Sequence, residues 1–186
     1  MAATTKSVER YHCSQIVLHW VVAALVAAQY ATSGSIGRTH HAEHLGQEPS
    51  PLDLALHAVH NRAGLLIFAL MLGRLLLRWR LGAPAPLASR GAGTSAWRSR
   101  IARATHAAFY AVLIAQAVAG AVASYLYWPA ARVHAGLATI LLGLVVLHAA
   151  AALWHHAVER DDTLKRMLGG RRRDGTTAKP LLARAK

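Results

Sequence analysis

Apolar residues occur in four long segments of the chain, and polar segments separate them. The apolar segments cover about residues 14–33, 54–77, 103–127 and 132–158. Each is long enough to supply the roughly 20 residues that a helix needs to cross the hydrocarbon core of a bilayer. The segments are continuously apolar, whereas the strands of a membrane β-barrel alternate polar and apolar positions. The pattern therefore predicts an all-α fold, a transmembrane four-helix up-down bundle.

Charge is scarce and unevenly placed, and this predicts the orientation of the bundle. Charged residues make up 16% of the 186 residues, below the roughly 25% of an average soluble domain. The chain has 21 Lys and Arg residues; Arg38, Arg62 and Arg132 fall on one side of the predicted bundle and the other 18 on the opposite side. Because segments rich in Lys and Arg stay in the cytoplasm, both termini are predicted to be cytoplasmic. Because the basic residues flank apolar segments, the charge pattern predicts a lipid bilayer as partner and argues against binding of nucleic acid.

The domain organisation follows from the positions of the apolar segments. Residues 1–168 contain all four segments and are predicted to form one transmembrane domain. Residues 169–186 are predicted to form a basic cytoplasmic tail that is disordered, since it carries a run of arginines and few apolar residues. The charged segment that begins after Glu159 is also expected to be partly disordered. The one cysteine, Cys13, can form neither an intramolecular disulfide nor a thiolate metal cluster.

Two histidines lie fourteen residues apart in the fourth apolar segment, His134 and His148. On an α-helix this spacing gives a rise of about 21 Å and a rotation about 40° short of whole turns. Both imidazoles therefore point the same way, one near each end of a helix that can span a bilayer. Histidine inside the hydrocarbon region is costly and marks a functional site.

The predicted topology sorts the histidines of the spans by depth. His19 and His148 lie in the cytoplasmic half, as does His106, and His60 and His134 lie in the outer half. Two depth-matched pairs result, His19 with His148 and His60 with His134. Each pair can supply the two axial nitrogens of a haem iron, and such six-coordinate ligation suits electron transfer. The sequence thus predicts two haems, with these four histidines as the metal ligands.

Other interpretations of the histidines stay open at this point. His57 lies one turn before His60 and competes with it as a ligand. A transmembrane histidine can also be a packing residue or a proton relay. The outer group of His40, His41 and His44, with the acidic Glu43, can bind a metal loosely, and we expect it to be a solvated loop.

Small and basic residues near the paired histidines fit a bound porphyrin. Glycines at 64, 120, 136 and 143 provide clearance for a flat macrocycle, although close helix packing also uses glycine. Arg62 and Arg132 lie beside His60 and His134, where they can pair with haem propionates or attract a small anion. An arginine at the membrane interface with neither role is the alternative.

The chain resembles the bacterial cytochrome b561 family over about residues 8–168. The matching motifs are QIVLHW at 15–20, HNRAG at 60–64, RLLLR at 74–78, LHAAAAL at 147–153 and DTLKRM at 162–167, together with His106, Gly120 and His134. The family consists of four-helix cytochromes of the cytoplasmic (inner) membrane with two b-type haems (heme b), related to the membrane subunits of hydrogenases and formate dehydrogenases. The resemblance implies that His19, His60, His134 and His148 are the axial ligands and that His106 lies near a haem edge or a quinone. The connection at 128–130 is shorter than in members that carry a helical insert there.

The resemblance also implies a function. The leading hypothesis is electron transfer between a small donor and quinone, with superoxide oxidation and ubiquinone reduction as one activity of the family. The alternative is a membrane anchor subunit that passes electrons from a dehydrogenase or hydrogenase partner to quinone. A third hypothesis is a haem-free, histidine-lined transporter. No residue is predicted to be catalytic in its own right, because the one-electron chemistry belongs to the haem.

Overall fold

The computed structural model describes residues 11–82, 95–160 and 163–169. These residues form four long helices and one short helix, and no strand occurs among them. The helices are α1 (Cys13–His44), α2 (Pro51–Leu81), α3 (Ser95–Tyr125), α4 (Ala130–Ala157) and α5 (Thr163–Met167). The predicted all-α class is confirmed. The predicted tail lies outside the described residues, apart from Gly169.

Three of the long helices are long and apolar enough to cross a membrane: Cys13–His44, Trp97–Tyr125 and Ala130–Ala157. The remaining long helix, α2, carries Arg62, Arg74 and Arg78 between apolar residues. Large apolar side chains on all four long helices are exposed, among them Leu147 at 68% and Leu72 at 45%. A helix bundle presents an apolar exterior to lipid. Lipid tails are as apolar as leucine, so apolar side chains can face either the lipid or the protein interior.

The helices extend beyond the predicted apolar segments, and α1 does so most. Two of the hydroxyl groups after residue 31 bond to carbonyls of the same helix: Thr32 donates to the Ala28 carbonyl at 2.8 Å and Ser35 to the Thr32 carbonyl at 2.6 Å. Ser35 and Thr39 are buried, with 1% and 2% of their surface exposed. The helix therefore continues to His44. The expectation of a solvated loop at His40, His41 and His44 is wrong, because these residues form the last turns of α1.

The start of α2 is fixed by its capping residues. The Ser50 hydroxyl accepts a hydrogen bond from the Asp53 amide at 3.1 Å, and Pro51 occupies the first turn, where no amide proton is needed. Arg38 of α1 donates to the Asp53 carboxylate at 2.6 Å. That hydrogen bond holds the pKa of Asp53 below its usual range. This contact fixes the end of α1 beside the start of α2.

Side-chain contacts show that consecutive long helices run antiparallel. Gln15 near the start of α1 donates to the carbonyl of Gly82 after α2 at 3.0 Å, and Arg98 near the start of α3 pairs with Glu159 after α4 at 2.7 Å. We call this the inner end, following the predicted orientation. The opposite, outer end holds the Arg38–Asp53 pair.

The first and fourth helices also meet, although they are distant in the chain. The Tyr30 hydroxyl of α1 donates to the Ala138 carbonyl of α4 at 2.6 Å. Direct contacts therefore link α1 to α2, α2 to α3, α3 to α4 and α4 back to α1. A small buried core lies between the two ends and consists of Val22, Ile67, Met71, Leu113 and Leu141.

Helix α5 was not expected. It lies in the charged segment after Glu159, for which the sequence predicts partial disorder, and residues 163–167 of that segment are helical. The indole nitrogen of Trp20 donates to the Met167 carbonyl at 2.8 Å. This bond holds α5 against the start of α1 at the inner end.

Candidate functional site

The four histidines that the sequence pairs by depth meet in the structure as the same two pairs. The ring centroids of His60 and His134 are 6.3 Å apart at the outer end, and those of His19 and His148 are 6.3 Å apart at the inner end. In each pair one ring comes from α4, and the other comes from α2 or α1. The fourteen-residue spacing on α4 therefore places one imidazole in each pair.

The separation of the rings fits two axial ligands of one metal ion. With metal–imidazole bonds of about 2 Å and a ring centre about 1.1 Å behind each ligating nitrogen, two imidazoles on opposite sides of an ion have centroids about 6.2 Å apart. Both pairs, at 6.3 Å, are close to this separation. Neutral imidazole nitrogens are also the axial donors that b-type haem iron accepts. The donor sets thus fit the cofactor that the sequence predicts.

At the outer end, hydrogen bonds fix which nitrogen of each ring carries the proton. His60 is buried, and its Nδ1 lies 3.1 Å from the Thr32 hydroxyl oxygen. The Thr32 hydroxyl also lies 2.8 Å from the Ala28 carbonyl, and when its proton is given to that carbonyl the oxygen can accept the Nδ1 proton of His60. His134 Nδ1 donates to the Gln116 backbone carbonyl at 2.9 Å. Both rings therefore keep the Nε2 lone pair that a metal requires, and their other nitrogen is held as in known metal-ligating histidines.

Two of the glycines that were predicted to clear a porphyrin instead face side chains at the outer pair: Gly120 faces His134, and Gly64 faces Gln29, which bonds to His60. A Cβ on Gly120 would lie 2.9 Å from Cε1 of His134, so only glycine leaves space for this imidazole against α3. A Cβ on Gly64 would lie 3.1 Å from the side-chain nitrogen of Gln29, which donates to the His60 carbonyl at 3.0 Å. The porphyrin-clearance interpretation stays a prediction for Gly136 and Gly143 of α4, whose missing Cβ atoms would meet nothing within 4 Å.

The inner pair is surrounded by further rings. His106 of α3 lies 5.8 Å from His148 and Phe109 lies 5.2 Å from it, while Trp20 lies 5.3 Å from His19. His106 Nδ1 donates to the Ala102 carbonyl of its own helix at 2.7 Å. In residues 11–82, 95–160 and 163–169, no hydrogen-bond partner reaches a ring nitrogen of His19 or His148.

Positive charge lies close to the inner rings. The guanidinium of Arg74 acts electrostatically on His19 and on His106, and that of Arg78 acts on His106. Both arginines belong to the last three turns of α2. The sequence places them at the inner interface, and the structure adds that their charge reaches the histidine group.

The two predicted outer arginines are exposed. Arg132 lines an open cavity of about 450 Å³ whose other walls are Trp128, Pro129, Ala131 and Ala135. The cavity lies at the same end of the bundle as the outer pair, but neither His60 nor His134 is among the residues that line it. Neither Arg132 nor Arg62 forms an ion pair with a carboxylate among the described residues.

His57 takes a different position from its competitor His60. Its ring lies 5.5 Å from His40, whereas His60 faces His134. His40 also contacts Trp128 at 4.5 Å, and its Nδ1 lies 3.1 Å from the Glu43 carboxylate. Among the described residues, no group of three or more His, Cys, Asp or Glu side chains is arranged to hold a metal ion. The geometry thus favours His60 over His57 as a ligand and assigns no loose metal site to the end of α1.

Sequence reasoning missed the residues that orient the outer pair: Thr32, Gln29 and Gln116. A polar side chain within an apolar helix is the signal that could have singled them out. The side-chain oxygens of Gln29 and Gln116 are buried and have no hydrogen-bond partner within the described part of the chain. The side-chain nitrogen of Gln116 lies 3.3 Å from Nε2 of His134. Gln116 therefore contacts both nitrogens of this ring.

Comparisons with known proteins cover most of the chain. A family model described as prokaryotic cytochrome b561 matches residues 10–170. Cytochrome b561 homolog 1 of Escherichia coli (strain K12) is 27% identical over 187 residues, which covers 88% of this chain and 99% of that protein. Cytochrome b562 of Cereibacter sphaeroides is 30% identical over 156 residues, with 83% and 92% covered. A protein named probable superoxide oxidase CybB of Yersinia pestis is 27% identical over 186 residues, with 88% and 98% covered.

Proposed function

Because the chain belongs to the prokaryotic cytochrome b561 family and is a haem-binding protein of the bacterial inner membrane, we propose that it carries electrons from a small donor at the outer end to quinone. We further propose that it binds two haems b, one held by His60 and His134 and the other by His19 and His148. The observation that carries this proposal is the equal 6.3 Å separation of the two pairs.

The residues of the chain supply ligation and orientation, and bound haem b supplies one-electron chemistry. Thr32 and the Gln116 carbonyl hold the Nδ1 protons of the outer histidines, which leaves each Nε2 with the lone pair that would hold iron. The Gln116 side-chain amide lies 3.3 Å from Nε2 of His134 and would have to turn away for that nitrogen to hold iron. Gly120 leaves the space that the imidazole of His134 occupies against α3.

Superoxide is the small donor that we propose. It is an anion, and the exposed Arg132 at the outer end raises its local concentration. Arg62, on the helix that carries His60, adds a second positive charge at the same end. The relative from Yersinia pestis carries the name of a superoxide oxidase. Two superoxide anions release two electrons and become two O₂ molecules, and one quinone takes up these electrons with two protons to become quinol.

The topology that we propose has four membrane spans, with α2 as the fourth. Contacts between helices place the start of α1 and the end of α4 at the same end, where nine of the twelve Lys and Arg residues in the described ranges also lie. Under the positive-inside rule this inner end faces the cytoplasm. Residues 1–168 then form the membrane domain and residues 169–186 a basic cytoplasmic tail.

Haem stoichiometry tests the proposal directly. We expect two pyridine haemochromes per purified chain and a reduced-minus-oxidised spectrum of b type. His57→Ala is the matched control for His60→Ala, since it removes a histidine of the same helix and end: we expect two haems with the former and one with the latter. One haem in the wild-type chain, or loss of haem from His57→Ala alone, would contradict the assignment.

Quinone reduction tests the donor. The purified chain, reconstituted with ubiquinone in vesicles, should form quinol when superoxide is generated in the medium. Quinone reduction only after addition of an iron–sulfur partner subunit would instead make the protein the anchor of a dehydrogenase or hydrogenase.

A further inference from the structure

The two histidine pairs differ in how their rings are held. In the outer pair, a fixed acceptor takes the Nδ1 proton of each ring: the Thr32 hydroxyl for His60 and the Gln116 carbonyl for His134. In the inner pair, His19 and His148 have no such acceptor within hydrogen-bond distance among the described residues. A histidine that binds a metal through Nε2 almost always donates its other ring proton. The inner pair therefore needs an acceptor from a side chain nearby.

His106 has the chemistry of that acceptor. Its own Nδ1 proton is committed to the Ala102 carbonyl at 2.7 Å, so its Nε2 carries an unused lone pair. Its ring lies 5.8 Å from that of His148, with an angle of 78° between the ring planes. The other ring of α3 in contact with His148, that of Phe109, offers no lone pair.

The separation of the two ring centroids is close to that of two imidazoles joined by a hydrogen bond. Two imidazoles joined by an N–H···N bond of about 3 Å have centroids about 5.2 Å apart when the bond is linear. The observed separation of His106 and His148 exceeds this value by roughly half an ångström, which is within the reach of a small side-chain rotation. No movement of α3 relative to α4 is required.

We propose that His106 is a positioning residue for His148: its Nε2 accepts the Nδ1 proton of His148 and turns Nε2 of His148 toward the inner iron. This inference rests on the proposed function, because it takes His148 as an axial ligand. An acceptor on the far nitrogen makes the imidazole more basic and favours ferric over ferrous iron. His106 therefore lowers the reduction potential of the inner haem.

Redox titration of purified protein tests the inference. We expect His106→Leu to raise the ratio of ferrous to ferric inner haem about tenfold at a fixed potential, which is a shift of 59 mV for a one-electron couple. His106→Gln restores an acceptor oxygen and should bring the potential back to that of the wild type. Phe109→Leu is the matched control, because it removes a ring of α3 that also contacts His148 but has no lone pair. Its reduction potential should differ from that of the wild type by only a small fraction of the shift seen in His106→Leu.

The outcomes separate the two proposals. Haem content of the wild-type chain is measured first, and His60→Ala identifies the outer transition; a chain with fewer than two haems contradicts the proposed function. With two haems present, equal shifts in His106→Leu and Phe109→Leu, or no difference between His106→Gln and His106→Leu, overturn the role of His106. Where His106→Leu loses the inner haem, retention of that haem at the wild-type potential in His106→Gln supports the inference, and its loss from both variants overturns it.

Discussion

The outer and inner ends hold their histidine pairs by different means. At the outer end, His60 and His134 are tied to a hydroxyl and a backbone carbonyl, and Gly120 leaves a space shaped for one ring. At the inner end, His19 and His148 lie among other rings and near the charge of Arg74. The Gln116 carbonyl and Gly120 are parts of the helix backbone, and the Thr32 hydroxyl lies within hydrogen-bond distance of its own helix, whereas the rings around the inner pair can rotate. We infer that the outer site is the more rigid of the two.

The largest expected effect separates the two ends completely. His134→Ala should remove the outer haem and leave the inner one, and His19→Ala should do the reverse, because each variant breaks one pair only. Pyridine haemochrome assays should fall from two haems per chain to one in each case. Loss of both haems from either variant would mean that the two sites fold as one unit, and full retention would mean that the pairing is wrong.

A second prediction concerns the space beside His134. Gly120→Val would push β-branched carbon atoms into the imidazole, since a Cβ alone comes within 2.9 Å of it. We expect haem affinity at the outer site to fall about 10- to 100-fold, the usual result of disturbing the groups that orient a ligand. Haem transfer to a competing apoprotein measures the change.

Gly37→Val is the matched control for that variant. It adds the same atoms to α1 near the outer end, at a position where a Cβ would meet nothing within 4 Å and where no porphyrin contact is predicted. Its outer-site affinity should equal that of the wild type. An equal loss in both variants would show that glycine matters here through helix packing and not through the imidazole.

A third prediction concerns the hydroxyl that holds His60. Thr32→Val keeps the shape of the side chain and removes the acceptor of the Nδ1 proton, so the outer haem should become easier to reduce by up to about tenfold in the ferrous-to-ferric ratio. Redox titration of the outer transition measures this shift. Thr139→Val is the control, because the exposed Thr139 hydroxyl bonds only to the Ala135 carbonyl of its own helix. A shift of the inner transition instead would contradict the assignment of Thr32 to the outer pair.

The sequence predicted the pairs well but not their supports. Spacing on α4 and depth in the membrane are properties of single helices, and they were enough to match His60 with His134 and His19 with His148. The roles of Thr32 and Gln116 depend on how far each helix is rotated toward its neighbours, and the apolar pattern carries little of that information. Apolar residues lie on all sides of these helices, because the sides that do not pack against another helix face lipid.

The same physics explains the errors at the helix ends. The apolar pattern ends where the bilayer is expected to end, but α1 continues to His44 because two of its hydroxyl groups bond to its own carbonyls and because Arg38 pairs with Asp53. Helix α5 is joined by a hydrogen bond to Trp20, which is distant in the chain. Neither feature changes the hydrophobicity of the segment that contains it.

The smallest effect that we predict is kinetic and confined to the outer end. Arg132→Glu should slow the reaction with superoxide and leave haem content unchanged, because it reverses an exposed charge in the cavity at the outer end, which neither His60 nor His134 lines. The difference from wild type should shrink as salt rises, since ions screen exposed charges beyond a Debye length of about 10 Å at 0.1 M. Stopped-flow reduction at several ionic strengths measures both the rate and its dependence on salt.

Arg103→Glu is the control: it makes the same charge change on the exposed surface of the inner half of α3 and should not alter the rate. If both variants slow the reaction equally, the net charge of the protein attracts the donor and the outer cavity has no special role; if neither does, the donor is uncharged or enters elsewhere.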